Sequence, residues 1–357
     1  MPLLARMVMS PLVVEVRPGA VAGLADVLAD QRISPNGVVA VVVGGGLGDR
    51  IAEELSHTLG NADVFLAADG TLDVAAEIEV GLRKRSYDAV VGIGGGKTLD
   101  VAKYVASRLG LPMVAVATSL AHDGISSPVS SLDHGGGRGS YGVHIPVAVL
   151  VDLDYVRAAP ARQVRSGVGD LISNLSATAD WELAREVRGE PVDGLALSLA
   201  RVGADAVLNR TDGIDSDAFL VVLAQGLILS GLAMAVAGNS RPCSGACHEI
   251  SHALDRMSPG SGTHGEQTGF GALFATWLRG DLDLAGAIHG CLHRHGLPTR
   301  PADLGLTDDA FAAAVANAPD TRPDRYTVLE HREVDADRAV AWTREFVAWA
   351  ARREETR

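Results

Sequence analysis

Short apolar runs, spaced by helical patterns through the first half of the chain, constrain the fold more than any other feature. Val38–Val43, Ala62–Leu66, Ala89–Ile93 and Met113–Ala117 are rich in Val, Ile and Ala and end in glycine or polar turns. Helical patterns separate them at Ile51–Leu59, Leu72–Lys84 and Thr98–Leu109. Strands that are nearly continuous in apolar residues are buried on both faces, and strand–helix alternation builds a parallel sheet covered by helices. Val147–Asp152 is the last such run. Before it, Ser130–Tyr141 is polar and glycine-rich around Gly135-Gly-Gly137 and reads as a surface hairpin or loop. From about Ala158 the pattern is helical to the end. The expectation is an α/β N-terminal domain with a Rossmann-like parallel sheet over residues 1–157, followed by an all-α C-terminal domain over 158–357. A chain of 357 residues is long enough for two cores.

Composition narrows the partners. A net charge of −13 argues against nucleic acid or an anionic membrane. Lysine is confined to Lys84, Lys97 and Lys103, a bias that carries no functional signal by itself. Cys243, Cys247 and Cys291 cannot all pair internally and match no zinc knuckle, so a reduced, cytoplasmic setting is expected. Met1–Arg6 lacks the pattern of a signal peptide. Ala218–Gly238 is uncharged over a membrane's width, but it lacks flanking cations and aromatic anchors and reads as a buried core helix.

Ligands of a parallel sheet gather at the carboxyl ends of its strands. Gly92-Ile-Gly94-Gly95-Gly96-Lys97-Thr98 follows one strand and opens a helix. Glycines let a pyrophosphate approach the backbone, and a helix start offers N–H groups and positive dipole. The spacing is neither that of a Walker A loop nor Gly-x-Gly-x-x-Gly. Gly44-Gly-Gly46-Leu-Gly48 is a competing phosphate loop or a plain turn. After Met113–Ala117 comes Thr118-Ser119-Leu120-Ala121-His122-Asp123-Gly124, running on to Ser127-Pro128. Hydroxyls, an imidazole and a carboxylate crowd this strand end. Asp123 is suited to accept a hydrogen bond from a substrate hydroxyl, although Asp and Ser before Gly and Pro are also ordinary turn chemistry.

In the helical half, His248 and His252 are four apart, one turn along a helix face, and His264 follows. A catalytic divalent site takes three protein ligands and an open position. His248 and His264 are two candidates. Asp170, at a glycine-hinged helix start, is a natural third, with Glu249 and Glu266 as alternatives. His122, His134, His144, His289, His293 and His295 are weaker candidates.

These segments, with Gly169-Asp170-Leu-Ile-Ser-Asn174, Asp180-Trp181 and His264-Gly-Glu-Gln267, occur in an order that resembles the sn-glycerol-1-phosphate dehydrogenase family. That family lies in the superfamily of iron-containing alcohol dehydrogenase, glycerol dehydrogenase and dehydroquinate synthase. The resemblance spans about residues 35 to 280. It implies that Gly94, Gly95, Gly96, Lys97 and Thr98 hold the pyrophosphate of NAD or NADP. Thr118, Ser119, Leu120, Ala121 and Ser127 would contact the cofactor further along. It implies Asp170, His248 and His264 as ligands of Zn2+, with Fe2+ or Ni2+ possible. Asp123, Asp170 and His252 would meet the substrate. Two positions depart from the family's usual pattern: Leu120-Ala121 replaces Ala-Ser, and Cys247 stands where an acid is common.

The implied activity is NAD(P)-dependent interconversion of sn-glycerol 1-phosphate and dihydroxyacetone phosphate in a cytoplasmic homo-oligomer. NAD is favoured because no Lys or Arg lies between Ala62 and Glu77. Alternatives are another polyol dehydrogenase, a dehydroquinate synthase-like cyclase that uses NAD and metal transiently, or a catalytically dead binding protein. No residue is assigned to the substrate phosphate.

Overall fold

The computed structural model describes residues 9–55, 59–135 and 137–355. The chain forms two compact units, Met1–Gln163 and Val164–Arg357. In the first, the strands are β1 (Val13–Arg17), β2 (Val39–Gly44), β3 (Ala62–Ala67), β4 (Ala89–Gly94), β5 (Met113–Ala117), β6 (Val129–His134), β7 (Gly137–Gly142) and β8 (Ala148–Asp152). Its helices are α1 (Leu24–Leu28), α2 (Leu47–Leu55), α3 (Leu72–Leu82), α4 (Gly96–Leu109) and α5 (Leu153–Ala158).

Six strands form one parallel sheet in the order β1-β8-β5-β4-β2-β3. Both faces are covered. Val39, Val41, Val43, Val91, Ile93, Val114 and Val116 pack in one core with Leu24, Val27, Ile51 and Leu55 of α1 and α2. Thus β2, β4 and β5 read as unbroken apolar runs because neither face meets water. The chain moves one way from β2 to β3, then crosses back to β4 and continues to β5 and β8. The carboxyl ends of β2 and β4 therefore flank a topological switch point, the place where open α/β sheets bind ligands.

β1 is not among the strands that the apolar runs announce. It is an edge strand, VVEVR, whose Glu15 and Arg17 pair at 2.9 Å on the exposed rim. The glycine-rich segment forms a hairpin, β6–β7, with antiparallel register from Val129–Gly142 to His134–Gly137; Gly136 lies outside the described residues. Helix α2 starts at Leu47, ahead of the expected Ile51, and residues 56–58 lie outside the described residues. So does the Met1–Arg6 start.

The second unit is helical. α6 (Ala161–Arg188) begins across the division and is followed by α7 (Gly194–Leu208), α8 (Asp217–Ala237), α9 (Ala246–Met257) and α10 (His264–Arg279). α11 (Leu282–Arg294), α12 (Asp308–Asn317), α13 (Val328–His331) and α14 (Ala336–Glu355) complete it. Side-chain caps start the helices where the sequence supplies Asp, Ser or Thr. Asp193, Ser216, Asp281 and Thr307 each accept backbone N–H groups, and Thr263 and Glu266 form a reciprocal capping box on α10. α8 is the uncharged segment noted above. Most of it is buried, and Asn174 of α6 donates to its Ser230 Oγ at 2.7 Å. Phe270, Phe274, Phe311 and Phe346 make a fully buried aromatic core with ring centroids 4.8–5.8 Å apart. Truncating one such ring to alanine costs ~3–5 kcal/mol.

Candidate functional site

In the first unit, α4 begins inside the glycine run, at Gly96, with Gly95 extended before it. The free N–H groups of its first turn are thereby presented at the end of β4. Gly94 also accepts from Thr118 N at 3.1 Å, which joins the loop after β4 to the loop after β5. His122 lies against the same helix start. A Cβ on Gly96 would come 2.1 Å from His122 Nε2, so glycine is required for the approach. His122 Nδ1 accepts from Gly124 N at 3.0 Å and holds the tight turn at Asp123, whose carbonyl accepts from Ser126 and Ser127 N–H. The sheet end thus gathers Gly94, Gly95, Gly96, Thr98, Thr118, Ser119, Ala121, Asp123 and Ser127. The Gly44 loop is part of the same end: a Cβ on Gly44 would lie 2.4 Å from Thr98 Oγ1. Leu120 has no exposed surface. Lys97 is exposed and pairs with Asp69 at 3.1 Å. The Gly70 N–H, then Lys97, hold the Asp69 carboxyl below its usual range.

Lys103 was not singled out by the sequence. Its ammonium is fully buried, 3.0 Å from Asp100, and donates to the Ser127 and Val129 carbonyls at 3.3 and 2.5 Å. Burial raises the Asp100 carboxyl despite the cation beside it. A lysine three residues after an aspartate on the apolar side of a helix was the available signal. The effect is to pin the Ser127 segment onto α4.

In the second unit, glycines bring α6 and α10 into backbone contact. A Cβ on Gly169 would lie 2.1 Å from the Gly265 carbonyl oxygen, and one on Gly265 would lie 1.7 Å from that of Ser166. Ser166 Oγ also accepts from Gly265 N at 3.1 Å. Asp170 and His264, the next residues to this contact, are forced together. His264 Nε2 stands 3.5 Å from Asp170 Oδ1, and His248 Nε2 stands 3.9 Å from it. The two imidazole centroids are 5.1 Å apart.

Asp170, His248 and His264 are the one group of three potential metal ligands among the described residues, with ligand atoms all within 4.8 Å of one another. Tetrahedral ligands at ~2.1 Å from zinc lie roughly 3.4 Å apart, so small inward shifts suffice. The donor set, two imidazoles and one carboxylate, suits a divalent ion and leaves a position open for substrate. Burial, then the charge of His264, holds His248 well below its usual range, so its ring is neutral. Cys247 Sγ lies 3.4 Å from His248 Nδ1, which leaves Nε2 facing Asp170. Burial pushes the Cys247 thiol up to about 12, so it is a neutral partner to the ring.

The other carboxylates do other work. Glu266 accepts from Thr263 N at 2.7 Å in the capping box. Glu249 is fully buried, accepts from Thr327 Oγ1 at 3.1 Å, and is pushed up to about 9 by burial. His252 lies one turn along from His248, with ring centroids 6.3 Å apart. Burial, then Arg322, pulls its imidazole down to about 3. Asp180 was visible only as part of a motif. It is fully buried and accepts from Ala246 N and Val328 N at 2.9 Å and from Arg279 at 2.5 Å. The start of α9, and with it His248, is fixed to α6 through this one carboxylate.

The chain as a whole is similar to known proteins. A family model for iron-containing alcohol dehydrogenase matches residues 15–160. A glycerol-1-phosphate dehydrogenase [NAD(P)+] of Archaeoglobus fulgidus is 40% identical over 276 residues, 75% of this chain and 78% of its own. Its counterpart from Hyperthermus butylicus is 36% identical over 325 residues, 89% of this chain and 92% of its own. Among solved structures, a probable glycerol dehydrogenase from Sinorhizobium meliloti 1021 superposes with a TM-score of 0.79 at 23% identity, over 97% of this chain and 99% of that one. The last likeness speaks to fold alone. The sequence makes this chain a member of the glycerol-1-phosphate dehydrogenase family, within the iron-containing alcohol dehydrogenases.

Proposed function

We infer that the chain catalyses NAD(P)-dependent interconversion of sn-glycerol 1-phosphate and dihydroxyacetone phosphate. The observation that carries this reading is the convergence of Asp170, His248 and His264 in a chain 40% identical to a relative named for that activity. When bound, the dinucleotide supplies the hydride chemistry and a divalent ion, here assigned as Zn2+ with Fe2+ or Ni2+ as alternatives, supplies charge stabilisation at the substrate's C2 oxygen.

The chain's own residues divide the remaining work. Asp170, His248 and His264 would hold the ion. Gly94 to Thr98, with the first turn of α4, would bind the pyrophosphate, and Thr118, Ser119, Ala121 and Ser127 would continue along the cofactor. The Asp69 carboxylate, two residues beyond β3, favours NAD, because a 2′-phosphate would meet a negative charge there. Asp123 would accept from the substrate's hydroxymethyl group. His252 is neutral at pH 7. One of its ring nitrogens accepts from a hydroxyl while the other donates onward, so a proton is handed out without a standing charge.

Three buried cysteines, none of them in a disulfide, suit a reducing cytoplasm. A homo-oligomer is the expected assembly. The test is NADH consumption with dihydroxyacetone phosphate, dihydroxyacetone and several ketoses, with and without chelator. Chelator-sensitive turnover of the phosphate ester is expected; none with that substrate sinks the reading.

A further inference from the structure

The second unit holds a guanidinium that nothing in its structure uses. Arg322 is half-buried, yet among the described residues its side chain has no hydrogen-bond or ion-pair partner. It sits in the turn between α12 and α13, and that turn is fastened to α9 at both ends. Thr321 Oγ1 contacts the Glu249 carbonyl at 3.4 Å. Arg325 donates to the Ser244 carbonyl and, at 2.8 Å, to Ser240 Oγ. The turn is therefore held beside the helix that carries His248 and His252.

The charges around it do not cancel. Arg322 and Arg325 both act on His248 and His252 electrostatically, and Arg256, one turn beyond His252 on the same face of α9, acts on His252 and Arg322. Glu249, the carboxyl that acts on Arg322, forms no ion pair with it and accepts instead from Thr327 Oγ1 at 3.1 Å. Arg325, though lowered to about 10, stays charged. A desolvated, uncompensated cationic pair costs stability unless a ligand supplies the anion. Arginine is the side chain best shaped to grip phosphate oxygens in pairs.

The placement fits one substrate. Four residues along a helix are ~6 Å of axis. His248 marks the proposed metal end of that stretch, and His252, the ring on which Arg322 acts most among the charges, marks the other. In glycerol 1-phosphate the phosphate is joined to C2 through one carbon and one ester oxygen. We propose that Arg322, assisted by Arg325, binds the substrate's phosphate and so makes the site select a phosphorylated three-carbon polyol over the free one. This rests on the reading of the substrate given above.

The experiment compares metal-loaded wild type with Arg322→Met and Arg322→Lys. For each, KM and kcat are measured with dihydroxyacetone phosphate and dihydroxyacetone, and Ki for inorganic phosphate against the ester. Arg322→Met is expected to raise KM for the ester at least ~10-fold, the cost of one lost charged hydrogen bond. It should weaken phosphate inhibition in parallel and change kcat far less. Arg322→Lys should recover part of both. The Arg322 side chain makes no hydrogen bond among the described residues, so the melting temperature should not fall. Unchanged KM and Ki, or equal loss with both substrates, overturns the assignment while leaving the activity intact. A wild type with no preference for the phosphate ester overturns the glycerol phosphate reading itself, and this assignment with it.

Discussion

Gly265 lies so close to Ser166 that a methyl group on its Cα would come 1.7 Å from the Ser166 carbonyl oxygen. This backbone contact between α10 and α6 sets the distance from His264 to Asp170. Gly265→Ala must push the helices apart, because the obstacle is main chain and cannot rotate away. We expect a destabilisation of ~1–3 kcal/mol from overpacking. Metal retention should fall by an order of magnitude or more, as the ligands lose their spacing. Metal content after dialysis, with urea melts alongside, checks both.

Asp180 offers a separate route to the same site. Its carboxylate satisfies Ala246 N, Val328 N and Arg279 at once. Asp180→Ala strands a guanidinium whose Nε and Nη1 already lack partners, and removes the anchor of the α9 start. Breaking a buried ion pair in this way costs ~3–5 kcal/mol. Asp180→Asn keeps one acceptor and should lose less. Denaturant titration of both variants is the check.

Glu249 gives a pH dependence of definite sign. Its folded value, about 9, lies above the ordinary value of 4.5. The folded state thus holds a proton that the unfolded state releases. The stabilisation is fully present below pH 4.5 and is lost as pH rises through about 9. Glu249→Gln removes the titration while keeping an acceptor for Thr327. In metal-free protein it should raise the melting temperature at pH 8 and flatten its fall between pH 5 and 9. Each kcal/mol regained is worth roughly 2–4 °C in a unit of this size. A wild-type slope that survives in Glu249→Gln would show that another group is responsible.

The sequence was informative where local chemistry repeats a rule. Unbroken Val/Ile/Ala runs announced β2, β4, β5 and β8, because burial on both faces leaves no polar alternation to read. β1 escaped because an edge strand carries charge. His248 and His264 stood out by residue type, while Asp170 needed the family resemblance to be chosen over Glu249 and Glu266. Nothing local marks those two acids as spent, one under Thr327 and one in a capping box. Lys103 and Arg322 were hidden for the same reason. Their meaning lies in Ser127 and His252, which only the folded chain brings near.

The central claim is that Asp170, His248 and His264 hold the ion on which dihydroxyacetone phosphate reduction depends. The most direct measurement is metal stoichiometry by mass spectrometry on purified His264→Ala and wild type, each assayed with NADH and the phosphate ester. Wild type should carry about one divalent ion per chain, and His264→Ala should lose it, with turnover falling at least ~100-fold. Full metal content and full activity in His264→Ala would contradict the claim.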